Sequence, residues 1–177
     1  GLYLTAGIHQ GRDFFRIRQD YHNAKVLLKS AVTKQEATRL LMDGGRVEAE
    51  EIARIINEGD DFRLPERMQT AVTEARQTLA ATMDAQKSDF ILDRAFYAEV
   101  LSIAVSTGSG FLIGYVQLMI DSDNAKALLR ALKMMKADVF SDAVVEGGSV
   151  DAATLIAAIE NGAVTEPFQG TALAGAV

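Results

Sequence analysis

Apolar residues recur three and four apart over most of the chain, and no stretch alternates apolar with polar long enough to form a strand, so the pattern predicts an all-α protein. A first helix is expected from about Asp13 to Ser30, with Phe14, Ile17, Tyr21, Lys25 and Leu28 on one stripe. "TKQE" (Thr33–Glu36) has the Thr-x-x-Glu form of a capping box and predicts a short second helix after it. A third helix follows "DGG" (Asp43–Gly45), with Val47, Ile52, Ile55 and Ile56 largely on one face and Gly59 to end it. Pro65 suits a first turn, and a long fourth helix then carries Met68, Val72, Ala75, Leu79 and Met83 inward. "SDFILDRAFYAEVLSIAVS" predicts a fifth, with Phe90, Leu92, Phe96, Val100, Leu101 and Ala104 inward and Asp93, Arg94 and Glu99 outward. "TGSG" (107–110) ends it, and a sixth helix runs through "FLIGYVQLMIDSDNAKALLRALKMMK".

One motif occurs twice. "DYHNAKVLLK" (Asp20–Lys29) returns 101 residues later as "DSDNAKALLR" (Asp121–Arg130). Further on, Gly44, Gly45, Val47, Ala49, Ile52, Ile56 and Gly59 match Gly147, Gly148, Val150, Ala152, Leu155, Ile159 and Gly162 at an offset of 103. The similarity therefore spans Asp20–Gly59 against Asp121–Gly162, a whole helix–helix–turn–helix unit. A period near 100 is too long for a solenoid of 20–50-residue units and points to duplicated helical units. The expected division is residues 1–63 as a first unit, 64–106 as linking long helices, and 107–177 as a second unit. Asn is an indifferent helix former, yet Asn23 and Asn124 occupy the matching place. This favours reading the polar residues of the motif, Asp20 with Lys25 and Asp121 with Arg130, as buried clamps that dock one unit on the next. The alternative is exposed helix charges worth a few tenths of a kcal/mol, about the size of other surface pairs.

Composition narrows the partners. A hydrophobic content of 49% supports a real core, and the absence of Cys removes disulfides and thiolate ligands, a pattern that fits a reducing compartment. A net charge of −6 argues against nucleic-acid binding, which draws its affinity from Lys and Arg, and suits a basic protein partner. The most apolar run, Phe111–Ile120, stops at Asp121 and is far short of the roughly 20 residues that cross a bilayer, so no membrane span is expected. "GLYLTAGIHQ" lacks the basic region of a signal peptide, and it and the closing "GTALAGAV" read as cut ends.

"RQDYHNAKVLLKS", "LDRAFYAEVLSIA" (Leu92–Ala104) and "FLIGYVQLMIDSDNAKALLRALK" resemble, in that order and spacing, the C subunit of the V-type and A-type rotary ATPases, called the d subunit in eukaryotes. The resemblance runs from Phe14 to about Gly162. It implies an all-helical protein of three related units in a funnel shape, of which this chain would hold two as part of a longer polypeptide. It also implies a non-catalytic central-stalk connector on the cytoplasmic face of a membrane. Such a connector joins the D and F subunits of the shaft to the membrane rotor ring and transmits torque for ATP-coupled proton or sodium transport.

No residue is assigned a catalytic, cofactor-binding or metal-binding role. Gly108, Gly110 and Gly114 form a loose dinucleotide fingerprint, but such a loop must follow a strand, and the residues before it read as helix. The pairs Gly44–Gly45 and Gly147–Gly148 lack the Lys and Ser/Thr of a phosphate loop and read as turns. His9 lies near one end. His22 is two residues from Asp20, a spacing that does not face it on a helix, and Asp123 replaces it in the second motif, so it reads as a surface histidine. "VEAEE" (Val47–Glu51) opens a helix, where carboxylates favour the positive end of the dipole over metal binding. Of the methionines (42, 68, 83, 119, 134, 135), most are expected in the core. Beside the rotary connector stand two further readings: a helical-repeat scaffold for other proteins, and a nucleotide-binding enzyme using the Gly108–Gly114 loop.

Overall fold

The computed structural model describes residues 2–134, 136–162 and 166–173. Among these residues the chain is all-helical: α1 (Leu2–Thr33), α2 (Ala49–Glu58), α3 (Glu66–Thr82), α4 (Ala85–Ser106), α5 (Gly110–Met134), α6 (Ala137–Ala143) and α7 (Ala152–Asn161). Single 3-10 turns occupy Thr38–Leu40, Asp61–Arg63 and Glu166–Phe168. The chain divides into two compact units, Gly1–Phe96 and Tyr97–Val177, with the boundary inside α4. None of the described helices is long and apolar enough to cross a membrane.

In the first unit α1 packs on α2 and α3. Phe14, Ile17, Tyr21 and Leu28 of α1, Ile52, Ile55 and Ile56 of α2, Met68, Val72, Ala75 and Leu79 of α3, and Ile91, Leu92 and Phe96 of α4 are buried. Each fully buried side chain of this size contributes about 1.5–3 kcal/mol relative to exposure. Tyr21 and Phe96 meet edge to face at 5.8 Å, and the Arg18 guanidinium lies 5.7 Å from the Phe96 ring centre. Gly59 closes α2 in the left-handed conformation, where an L side chain is disfavoured, and its N–H donates to Ile55 O.

In the second unit α5 packs on α6 and α7. Leu128, Phe140, Val144, Val150, Leu155, Ile159 and Phe168 build one core. Phe140 and Phe168 are fully buried. They sit on the short α6 and on a single turn, elements too brief to carry the periodicity that marked the long helices.

Several expectations are corrected. α1 begins eleven residues before Asp13 and runs through Gly7 and Gly11, each of which costs a helix only about 1 kcal/mol. "TKQE" starts no helix: Thr33 is the last residue of α1 and its hydroxyl donates to Lys29 O at 3.1 Å. Lys34 then turns left-handed, and the Thr38–Leu40 turn buries nothing that could hold a longer helix in place. Met83 caps α3 in the left-handed region and is exposed, while Phe90 is only half-buried. Glu99, expected outward, is buried. Met68 is fully buried, but Met42, Met83 and Met134 are exposed and Met119 is half-buried, so the methionines do not mainly fill the core. Met135 lies outside the described residues.

Candidate functional site

The matched motif residues do the same work in each unit. Asn23 Nδ2 donates to Met42 O and Asn23 Oδ1 accepts from Met42 N–H, both at 2.8 Å. Asn124 repeats this pair of bonds with Val145, again at 2.8 Å. An amide is the neutral side chain that offers a donor and an acceptor side by side, so it can serve both groups of one backbone residue. This is the reason an indifferent helix former sits mid-helix on a buried face.

The aspartates, fully or almost fully buried, bind the adjoining loop. Asp20 accepts from Val47 N–H at 3.2 Å and from Arg46 Nε at 2.6 Å. Asp121 accepts from Ser149 N–H at 2.9 Å and from the Ser149 hydroxyl. A Cβ at Gly45 or at Gly148 would collide with the carboxylate oxygen of Asp20 or Asp121. The second glycine of each pair is therefore needed for close approach, and Gly44 and Gly147, at φ +88° and +98°, for the turn itself. Each clamp fastens a helix to the loop of its own unit. That corrects the expectation that these residues dock one unit on the next. Lys25 belongs to another contact, an ion pair with Asp93 at 2.6 Å, and Arg130 is exposed.

α1 and α4 are joined by a short charge ladder, Lys25–Asp93 and Lys29–Asp89. Burial raises the Asp89 carboxyl above its ordinary value, opposed by the hydrogen bond and charge of Lys29 and by the charge of Lys25. Asp61 is buried at the end of α2 and accepts from Thr73 at 3.1 Å and from Arg76 at 2.7 Å. Asp151 caps α7, accepting from Thr154 Oγ1 and Ala153 N–H, and these bonds lower its carboxyl below the ordinary range. Its counterpart Glu48 makes no side-chain cap on α2. Tyr97 donates its hydroxyl proton to Asp123.

The residues singled out for other chemistry take ordinary places. Gly110 opens α5, Gly114 lies within it and Gly108 is in the turn after α4, so no strand delivers a phosphate to this loop. His22 lies on the side of α1, its Nε2 2.9 Å from Leu40 O, and His9 is exposed on the same helix. Glu50 and Glu51 stand in the first turn of α2, with Glu51 paired to Arg54 and Arg63. No cluster of His, Cys, Asp and Glu able to hold a metal occurs among the described residues. Sequence reasoning missed Arg46, Ser149, Asp61 and Asp89, whose partners lie 12 to 60 residues away and leave no periodic signal.

The second unit also carries a cleft of about 630 Å³ beside the Asp121 clamp, lined by Gly114, Gln117 and Leu118 of α5, by Asp151 and Thr154, and by the 167–172 segment. The cleft is open to solvent, and no set of reactive groups converges among the residues that line it.

The family model described as ATP synthase (C/AC39) subunit matches residues 9–171. The C subunit of the V-type sodium ATPase of Enterococcus hirae is 24% identical over 143 residues, covering 80% of this chain and 44% of that protein. The chain thus spans less than half the length of this relative. No solved structure matches the chain.

Proposed function

Because the chain belongs to the ATP synthase (C/AC39) subunit family, we propose that it is a non-catalytic connector in the central stalk of a rotary ATPase. In this reading the two units are copies of one helical module, two of the three related units of the whole protein, on the cytoplasmic face of the membrane. The connector receives the D and F subunits of the shaft, rests on the membrane rotor ring and transmits torque between them. The observation that carries the reading is the family match over residues 9–171. One feature supports it. Each long motif helix is bolted to its own loop by buried Asp and Asn bonds, which suits a part that must pass on force without deforming.

The test is affinity purification of the native full-length protein from solubilised membranes, with copurifying chains identified by mass spectrometry. Recovery of shaft, ring and catalytic-head subunits is the expected result. Their absence from a preparation in which the ATPase is intact would overturn the assignment.

A further inference from the structure

The two clamp loops differ at the residue before the Gly–Gly pair. The first reads Met42-Asp43-Gly44-Gly45 and the second Val145-Glu146-Gly147-Gly148, and Asp43–Gly44 is the one Asp–Gly pair in the sequence. In such a pair a backbone nitrogen can attack the side chain before it. The Gly44 nitrogen closes on Asp43 Cγ through a five-membered ring, and a residue without Cβ leaves that nitrogen uncrowded. At Glu146 the same closure needs a six-membered ring and is slow. Asp43 and Gly44 are both exposed, and a Cβ at Gly44 would meet Phe15, itself exposed, at an ordinary 3.8 Å. Gly147 is half-buried, and a Cβ there would lie 2.6 Å from Leu101. Among the described residues no hydrogen bond holds the Asp43 carboxyl or the Gly44 N–H. The related pair Asn161–Gly162 is different, because the Gly162 N–H donates to Ala158 O and Ile159 O at the end of α7.

We propose that Asp43–Gly44 is a site of spontaneous covalent modification, isoaspartate formation, which loosens the clamp of the first unit as the protein ages. The Gly44 N–H gives its proton to a solvent base as the nitrogen bonds to Asp43 Cγ; one carboxyl oxygen leaves as water, and a succinimide remains. Water then opens the ring. Attack at Cγ returns aspartate, whereas attack at the α-carbonyl carbon gives isoaspartate, whose main chain runs through Cβ and Cγ and whose α-carboxylate hangs free. One water leaves and one enters, so no oxidant, reductant or cofactor is consumed. The effect on the clamp follows from its two anchors. Met42 is fixed by its two bonds to Asn23. On the other side of the pair, the Asp20 carboxylate holds the Val47 N–H and lies so close to Gly45 that a Cβ there would overlap it. Only Asp43 and Gly44 separate Met42 from Gly45, so one added main-chain atom cannot be absorbed while both anchors hold. The inference rests on the clamp geometry and not on the rotary role.

The test keeps the full chain folded at neutral pH and body temperature in water enriched in heavy oxygen, so that each ring opening leaves one heavy atom behind. Trypsin in ordinary water then cuts after Arg39 and Arg46 and releases residues 40–46, in which Asp43 is the sole side-chain carboxyl. The expected result is a steady gain of label in this peptide, at a rate within about tenfold of that in the free 40–46 peptide. The labelled peptide should also accept methyl groups from an isoaspartate-specific methyltransferase. In the isoaspartate-containing fraction of the aged chain, the Val47 amide should exchange faster than in the fresh chain. Asp43→Glu should remove all three signals. Label that stays at the level of other aspartate-containing peptides, or that appears only in urea, overturns the site, because the folded turn would then protect it. Isoaspartate at Asp43 with unchanged exchange at Val47 overturns the loosening of the clamp.

Discussion

The Asp20 and Asp121 clamps use the same acid on the same helix position, yet they bind unlike partners. In the first unit the carboxylate takes a guanidinium from Arg46; in the second it takes a hydroxyl and an amide from Ser149. The Asn bonds beside them do not differ at all. What the geometry demands is an acceptor at the first position and an amide at the second. The donor on the loop is free to be charged or neutral. Net charge differs in the same direction: the first unit has fifteen acidic and fourteen basic residues, a balance of −1, while the second has nine against four, a balance of −5. The acidic character of the chain belongs mainly to the second unit.

The largest effect is expected at the paired amides. Asn124→Ala leaves a buried N–H and C=O at Val145 without partners and should cost about 2–4 kcal/mol. Asn23→Ala should cost roughly half as much, because Met42 is exposed and water can replace the amide. Urea titration followed by amide exchange in each unit reads both, and equal losses would break the argument from burial. Next come the acids. Asp20→Asn should cost about 2 kcal/mol, and Arg46→Ser, which copies the second unit, about 1 kcal/mol. A double-mutant cycle on the two should return a coupling of about 1 kcal/mol, and a coupling of zero would show that the charge on Arg46 is irrelevant to the clamp.

The helix caps give smaller effects. Glu48→Asp gives α2 the side chain that caps α7 and should stabilise the first unit by about 0.5–1 kcal/mol, read as a rise in urea midpoint. Asp151→Ala should lower the stability of the second unit by the least of these changes, with Asp151→Ser retaining the cap. The Asp151 carboxyl is lower in the folded chain than in the unfolded one, so its contribution is present above the unfolded value and is lost as pH falls through the folded one. The gap between Asp151→Ala and the parent should therefore close on acidification. A gap that stayed constant across that range would assign the cap to something other than the carboxylate.

The long helices were legible because a stripe of apolar residues over many turns has one explanation. The motif residues were legible as a pair, since Asn at two matched positions is improbable by helix propensity alone. Their target was not: the loops at Met42 and Val145 lie 19 and 21 residues from their asparagines, and nothing in either segment marks it as a partner. The Thr33–Glu36 capping box failed for the opposite reason. A four-residue signal was read without the tertiary contacts that decide whether a helix follows it, and here none of the Thr38–Leu40 turn is buried.

The sequence by itself determined the all-helical class, the places of α2, α3, α4 and α5, and the family, because periodicity and the matched Asp–Asn motif are local or directly comparable quantities. Only the tertiary structure decided that the clamps close within a unit, that Glu99 is buried and that Tyr115 and Leu118 stay open where Phe14 and Ile17 are covered. Periodicity fixes which residues share a face. Whether that face meets another helix or water depends on what the rest of the chain brings to it.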